Sequence, residues 1–229
     1  EEPFLQQLEG LGWQVLRLKS PAEGVQYPEE SWRDNFSQVV IKPKLAESLK
    51  QINPWLEDDQ VEEVIRKLTT YTAGSLLENN KNILELLLGN TSINENRKTG
   101  QKSPTVKYID FEHPGNNSFI AISQFKVRII GTENHIYPDI TLFINGLPIA
   151  LIEAKSPKVK DPMGEAIEQL MRYSEQRSDT IREGNREFLF YNQILVATCR
   201  DTAKFGTITT HVEKHFYRWT DPYPLTVND

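Results

Sequence analysis

The chain lacks the features that typify secreted and membrane proteins. Cys199 is its single cysteine, which excludes an internal disulfide framework. No apolar run approaches the length of about 20 residues that spans a bilayer. The opening segment, EEPFLQQLEG, also lacks the basic and apolar regions of a signal peptide. We therefore expect a cytoplasmic protein with no membrane partner.

An excess of positive charge is also missing. The 26 Lys and Arg residues are outnumbered by 32 Asp and Glu residues, so the net charge is −6. Because proteins gain affinity for nucleic acids when their cations displace phosphate counterions, such a chain is expected to have low intrinsic affinity for DNA. It contains no GxxxxGK[ST] phosphate-binding loop either, so we expect that it binds no ATP.

The composition is otherwise that of an ordinary globular protein. Hydrophobic residues are 38% and charged residues 25% of the 229 positions, a chain long enough to bury a sizeable core. We expect a single domain over residues 1–229. Hydrophobic periodicity predicts a helix at 1–10, a strand at 13–18 and a helical insertion around 38–90. The helices of this insertion are expected at 39–49, 57–71 and 76–88.

Strands dominate the second half of the sequence. Apolar runs predict them at 105–111, 119–130, 188–191, 194–198 and 204–208. Asp161 followed by Pro162 predicts the start of a helix, because Asp caps helices and Pro fits their first turn. A hairpin within 135–160 is apolar on both faces, so helices should cover both. The predicted fold class is α/β, a mixed central β-sheet flanked by helices on both faces.

This central hairpin carries an unusual set of polar residues. Its sequence, HIYPDITLFINGLPIALIEAKSPKVK, has two apolar strands joined by a turn at Asn145 and Gly146. Asp139, Glu153 and Lys155 occupy positions where strands normally carry apolar side chains. Glu153 and Lys155 are two residues apart, so they share one face of their strand.

The register of the hairpin decides whether Asp139 joins that face. A two-residue turn places Asp139 opposite Ile152 and on the other face from Glu153. A three-residue loop, with Gly146 left-handed in a bulge, places Asp139 opposite Leu151. In that register the Cβ atoms of Asp139 and Glu153 are diagonal neighbours about 7 Å apart. We predict the bulged turn.

Two carboxylates and an ammonium on one strand face suit a particular chemistry. Both carboxylates can bind one Mg²⁺, which activates a water molecule and binds a phosphate oxygen. The Lys155 ammonium can orient the attacking water or stabilise charge in the transition state. The reaction indicated is metal-assisted hydrolysis of a phosphodiester. The plainer alternative is an ordinary, partly exposed ion pair at a strand end.

These residues also carry a family resemblance. Tyr137-Pro138-Asp139 followed by Glu153-Ala154-Lys155 resembles the PD-(D/E)xK nuclease superfamily. With NSFIAISQF at 117–125 and the Gln-x-x-x-Tyr pattern of Gln169 and Tyr173, the chain resembles the N-terminal endonuclease domain of the R (HsdR) subunit of type I restriction enzymes. It departs from the family's usual residues at Tyr137, Ala154 and Ser156, none of which is an expected metal ligand.

The resemblance implies a restriction-endonuclease-like fold and an Mg²⁺-dependent endonuclease. The substrate would be double-stranded DNA, and the partners would be the methylase and specificity subunits of a restriction complex. ATP would serve only the translocase of the full-length subunit, a region absent from this chain. The implied roles are metal binding by Asp139 and Glu153 with Glu2 as a further candidate ligand, catalysis by these two acids and Lys155, and DNA contact or support by Gln169, Tyr173 and Lys158.

Other interpretations remain open at this point. One is a non-catalytic module with a nuclease-like fold that binds DNA or the partner subunits, although a structural role does not require two acids on a buried strand. Another is a nuclease of the same fold that acts on different nucleic acids. Scattered cations, namely Arg172, Arg177, Arg182, Arg186, Lys158 and Lys160, form either a basic rim or ordinary solvated surface. His211 and His215 are spaced for zinc but lack a third ligand, so we interpret them as incidental.

Overall fold

A computed structural model describes residues 1–72, 74–89, 91–175, 177, 181–200, 202–210 and 212–220. The helices in this part of the chain are α1 (Glu2–Gly10), α2 (Lys42–Ile52), α3 (Asp58–Thr69), α4 (Leu76–Leu87), α5 (Pro162–Tyr173) and α6 (Arg186–Phe190). The strands are β1 (Gln14–Arg17), β2 (Phe119–Ser123), β3 (Val127–Arg128), β4 (His135–Ile136), β5 (Ile140–Ile144), β6 (Leu147–Ala154), β7 (Ile194–Cys199), β8 (Thr202–Gly206) and β9 (Tyr217–Arg218). Across these described ranges, every helix is too short or too polar to cross a membrane.

The strands form one large mixed sheet and one small ribbon. The large sheet has the order β1-β2-β5-β6-β7-β8-β9, and β3 pairs with β4 alone. β1 is parallel to β2 and β6 is parallel to β7, while the other neighbours are antiparallel. This arrangement confirms the predicted mixed sheet.

Helices cover both faces of the sheet, as predicted. On one face, α2 to α6 contribute to a large core that includes Phe143 and Leu151 of the central strands. On the other face, Leu5 and Leu8 of α1 pack against a smaller cluster around Ile140. Since each central strand buries both of its faces, the hairpin sequence is apolar on both.

The helix predictions are confirmed to within a few residues. α1 and the three helices of the insertion lie where periodicity placed them. The side chain of Asp161 caps α5 by accepting a hydrogen bond from the Gly164 amide at 3.1 Å. The cap sets the first residue of α5, the helix that packs against β6 and β7.

Two strand predictions were wrong and a third was right only in part. Residues 105–111 form an irregular segment, because the amides of Asn53 and Asn145 bond its backbone in place of a neighbouring strand. Residues 188–191 lie largely in helix α6, whose cap Asn185 accepts from the Phe188 amide. The expected strand at 119–130 is present as β2 and β3, which are separated at Gln124 by a left-handed backbone (φ 55°). Of the paired histidines, His211 lies outside the described residues.

The predicted three-residue turn was also wrong. Ile144 pairs with Leu147, so the turn contains only Asn145 and Gly146, both with positive φ (54° and 80°). These values fit a two-residue type I′ turn. Glycine is required at 146 for a second reason, because an added Cβ would lie 2.5 Å from the carbonyl oxygen of Ile41.

Candidate active site

A bulge inside strand β6 sets the register of the hairpin. Phe143 pairs with Pro148, but Leu142 pairs with Ala150, so Pro148 and Ile149 together oppose one residue of β5. Proline donates no backbone hydrogen bond and is therefore confined, within sheets, to edges and bulges. The shift of one residue puts Ile140 opposite Ile152. Asp139, the next residue along, then faces Glu153.

Hydrogen bonds fix this pair of acids side by side. The Asp139 amide donates to Glu153 Oε1 at 3.2 Å, and the Ala154 amide donates to Asp139 Oδ2 at 2.8 Å. The structure thus brings Asp139 and Glu153 together on one face, although through a bulge in β6 and not through the predicted turn.

Lys155 completes the group. Its Nζ lies 3.4 Å from Glu153 Oε2, and its side chain is 20% exposed, whereas that of Glu153 is fully buried. Burial and, next in size, the nearby Asp139 carboxylate raise the pKa of Glu153 to about 8, against the opposite effect of Lys155. One ammonium therefore compensates only part of the negative charge that two ionised acids would place here.

Helix α5 holds Lys155 through the Gln-x-x-x-Tyr pair. Lys155 Nζ donates to Gln169 Oε1, and Gln169 Nε2 donates to Tyr173 Oη. The Tyr173 hydroxyl in turn donates to the Tyr137 carbonyl oxygen at 3.3 Å. Because the Tyr173 side chain is buried, this chain of hydrogen bonds points into the protein. In the structure Gln169 and Tyr173 support Lys155, and their contact with DNA stays a prediction.

Glu1, not the predicted Glu2, is the first-helix acid beside Asp139. The Glu2 carboxylate bonds the Arg17 guanidinium at 2.8 and 3.0 Å. Gln124 Nε2 lies 3.2 Å from both Glu1 carboxylate oxygens and 3.3 Å from Asp139 Oδ1. Partial burial and Asp139 both raise the pKa of Glu1.

Sequence reasoning missed both Glu1 and Gln124 as neighbours of the acid pair. Adjacent glutamates at the start of a helix cannot be told apart until the helix is docked. The side-chain amide of Gln124 contacts Asp139 from a residue with a left-handed backbone. Neither composition nor periodicity predicts a left-handed backbone at this position.

The scattered cations that could form a basic rim are largely neutralised. Arg177 pairs with Glu168 and Glu183, and both Arg182 and Arg186 pair with Glu175. Lys158 is exposed, on the loop that follows β6. These ion pairs agree with the acidic net charge and indicate solvated surface for most of the rim.

Asp139 and Glu153 suit a hard divalent cation. Their oxygen ligands are the type that Mg²⁺ prefers, and two adjacent acids with one ammonium leave negative charge for the cation to compensate. The Glu1 carboxylate is a third acid near this pair, because Gln124 Nε2 contacts both Glu1 and Asp139. Asp110, Glu112 and His113 form a separate cluster, but Asp110 already accepts from Asn116 and two backbone amides.

Comparisons with known proteins identify a family that this chain matches over most of its length. A family model described as "Type I restriction enzyme R protein N terminus" matches residues 1–214. The type I restriction enzyme HindI endonuclease subunit of Haemophilus influenzae is 29% identical over 220 residues, 96% of this chain and 20% of that protein. The putative MjaVIIIP endonuclease subunit of Methanocaldococcus jannaschii is 37% identical over 171 residues, 72% of this chain and 15% of that protein. The chain spans about a fifth, or less, of the length of these relatives.

Proposed function

The chain belongs to the family of type I restriction enzyme R protein N termini, and from that premise we propose that it is an Mg²⁺-dependent DNA endonuclease domain. Its substrate would be double-stranded DNA, delivered in a complex with methylase and specificity subunits. The relatives are named as endonuclease subunits of type I restriction enzymes, which supports a role in restriction. ATP would act on other parts of such a subunit.

One observation carries the proposal. The carboxylates of Asp139 and Glu153 lie on one face of the β5–β6 hairpin, and Lys155 is bonded to the second of them. A hairpin that only packed in a core would gain nothing from one buried and one half-buried acid side by side, since burial of charge is unfavourable unless it is compensated. The arrangement fits a site that holds a cation and acts on a phosphate.

Each side chain has a role in the proposed hydrolysis. Asp139 and Glu153 would hold Mg²⁺, which when bound supplies Lewis acidity to water and phosphate. The Ala154 amide and Gln124 orient Asp139, and the Asp139 amide orients Glu153. Lys155, held by Gln169, donates hydrogen bonds to the attacking water or to the developing negative charge on phosphate oxygens.

A nicking assay tests this proposal directly. The protein, alone and assembled with its methylase and specificity partners, is incubated with supercoiled plasmid in Mg²⁺, in Ca²⁺ or in EDTA at low salt. We expect nicked or linear DNA in Mg²⁺ and intact plasmid in EDTA. Intact plasmid in Mg²⁺ under both conditions would contradict the proposal and favour a non-catalytic module.

Substitution of Gln169 distinguishes support of Lys155 from contact with DNA. Gln169→Leu removes the acceptor for Lys155, so the single-turnover cleavage rate should fall about 10- to 100-fold, the usual cost of losing a supporting partner. DNA affinity should stay within about twofold, and Gln169→Glu, which keeps the acceptor, should restore part of the rate. The exposed Gln101→Leu serves as control. A parallel fall in affinity and rate would show instead that Gln169 contacts DNA.

A further inference from the structure

One buried side chain connects the irregular segment 20–38 with the candidate active site. Gln26, within this segment, is only 4% exposed. Its Nε2 donates to the carbonyl oxygen of Gln124 at 2.7 Å and also to that of Lys19. Gln124 is the residue whose own side-chain amide contacts Asp139. A chain of contacts therefore runs from Gln26 through Gln124 to Asp139, although 98 positions of sequence separate the first two residues.

Gln26 uses only the donor half of its amide. Both bonds of its Nε2 go to backbone carbonyl oxygens, which can only accept. Its Oε1 is buried and has no partner among the residues that the structure describes. Because a buried polar atom without a partner is unfavourable, a glutamine here is explained by its two donors and not by its acceptor. The side chain is thus suited to holding two carbonyl groups in place.

The backbone that Gln26 holds has an unfavourable conformation. Gln124 has a φ of 55°, a left-handed value that residues other than glycine adopt at an energetic cost. Such a conformation persists only where its surroundings enforce it. The Gln124 amide donates to the Asp139 carbonyl oxygen at 3.1 Å, and Gln26 bonds the Gln124 carbonyl. The next residue, Phe125, is fully buried, and the Arg33 guanidinium from the same segment lies 3.7 Å from its ring centroid.

This backbone determines where the Gln124 side chain points. Its Nε2 lies 3.2 Å from both carboxylate oxygens of Glu1 and 3.3 Å from Asp139 Oδ1. One amide group therefore contacts two acids at once. A right-handed or extended backbone at Gln124 would direct the side chain elsewhere, and both contacts would be lost. The orientation of the Asp139 carboxylate consequently depends on the conformation of Gln124.

We propose that Gln26 is a positioning residue of the cation site, which it serves by holding Gln124 in the left-handed conformation, an inference that rests on the proposed function. Gln26 acts through Gln124, since both of its hydrogen bonds go to backbone carbonyls. Groups behind the ligands of a metal ion fix their orientation before the ion binds, and affinity for the ion depends on them. Segment 20–38 thus contributes to the site without supplying a ligand.

Hydrogen exchange in EDTA tests the first step without metal or DNA. Gln26→Leu keeps the approximate size of the side chain and removes both donors. Exchange of the Gln124 amide should become about tenfold faster or more, because local opening no longer breaks a bond to Gln26. Gln60→Leu is the matched control, since Gln60 is 5% exposed and donates to the carbonyl oxygen of Glu95 at 2.9 Å. It should leave exchange at Gln124 unchanged, and the amides of β6 report global unfolding in both variants.

Titration with Mn²⁺ tests the second step. Gln26→Leu should weaken Mn²⁺ binding about tenfold, as loss of a supporting partner does, whereas Gln60→Leu should bind as the wild type does. Gln124→Gly adopts the left-handed conformation readily but lacks the amide, so it should lose affinity by itself. Adding Gln26→Leu to Gln124→Gly should then cost no further affinity. A general structural defect would instead add to the loss.

The outcomes distinguish this inference from the proposed function. If the wild type binds Mn²⁺ and Gln26→Leu leaves either the exchange at Gln124 or the affinity unchanged, the inference is overturned and the proposed function stands. Equal loss of affinity in Gln60→Leu, or additive losses in the double variant, would overturn it too. A wild type that binds no Mn²⁺ would overturn the proposed function and the inference with it. If Gln26→Leu does not fold, Gln26→Asn decides, because its amide is one methylene too short to reach both carbonyl oxygens.

Discussion

An Asp139→Asn variant is expected to lose Mg²⁺-dependent DNA cleavage while it keeps its fold. The substitution replaces a charged oxygen ligand by a neutral amide, but an amide oxygen still accepts the Ala154 hydrogen bond that positions the side chain. Loss of a mere supporting partner costs about 10- to 100-fold, so loss of a ligand should reduce the cleavage rate at least about 100-fold. The rate is measured on plasmid DNA with protein in excess.

A matched substitution controls for changes in charge. Asp34→Asn removes one negative charge from an exposed residue whose carboxylate bonds Gln38, and it should cleave as the wild type does. Thermal unfolding of both variants verifies that they are folded. A wild-type rate from Asp139→Asn would show that Asp139 is not a metal ligand.

Glu153→Gln is expected to make the metal-free protein more stable at alkaline pH. Burial raises the pKa of Glu153 to about 8 in the folded protein, from 4.5 when exposed. Between these values the folded state binds more protons than the unfolded state, so the free energy of unfolding of the wild type falls as pH rises from about 4.5 to 8. Glutamine does not titrate and escapes this loss. Each pKa unit corresponds to about 1.4 kcal/mol, so the difference above pH 8 should reach a few kcal/mol.

Urea denaturation in EDTA at pH 5 and pH 8.5 measures this difference. The stability gained by Glu153→Gln should be larger at pH 8.5 than at pH 5, and Mg²⁺ should stabilise the wild type more than the variant, because a ligand stabilises the state that binds it. The exposed Glu29→Gln, which also removes one carboxylate, serves as the matched control. An equal effect of Glu153→Gln at both pH values would mean that Glu153 is ionised throughout and that its burial is fully compensated.

The faces of the central hairpin could be predicted from sequence, but its register could not. Alternation places Glu153 and Lys155 together whatever the turn does. The position of Asp139 depends on where the ladder skips a residue, and the skip occurs at Pro148 and Ile149, not at Gly146. Pro148 in an otherwise central strand was the available signal, because its missing N–H favours a bulge.

The helices were predictable for a different reason. The stripes of α3 and α5 are long enough for periodicity to determine both type and position. In the short segment at 186–190, aromatic residues favour a strand, and the Asn185 cap together with packing of Phe188 in the core decides for a helix. The support of Lys155 by Gln169 and the proximity of Glu1 both depend on how helices dock against strands, which no local pattern specifies.

Crystals soaked in Mn²⁺ test the central claim most directly, because Mn²⁺ binds the same oxygen ligands as Mg²⁺ and gives an anomalous signal. We predict one anomalous peak between Asp139 and Glu153, within about 2.3 Å of an oxygen of each. A peak at the cluster of Asp110, Glu112 and His113 with none between Asp139 and Glu153 would contradict the account, as would no peak at all in a well-ordered site.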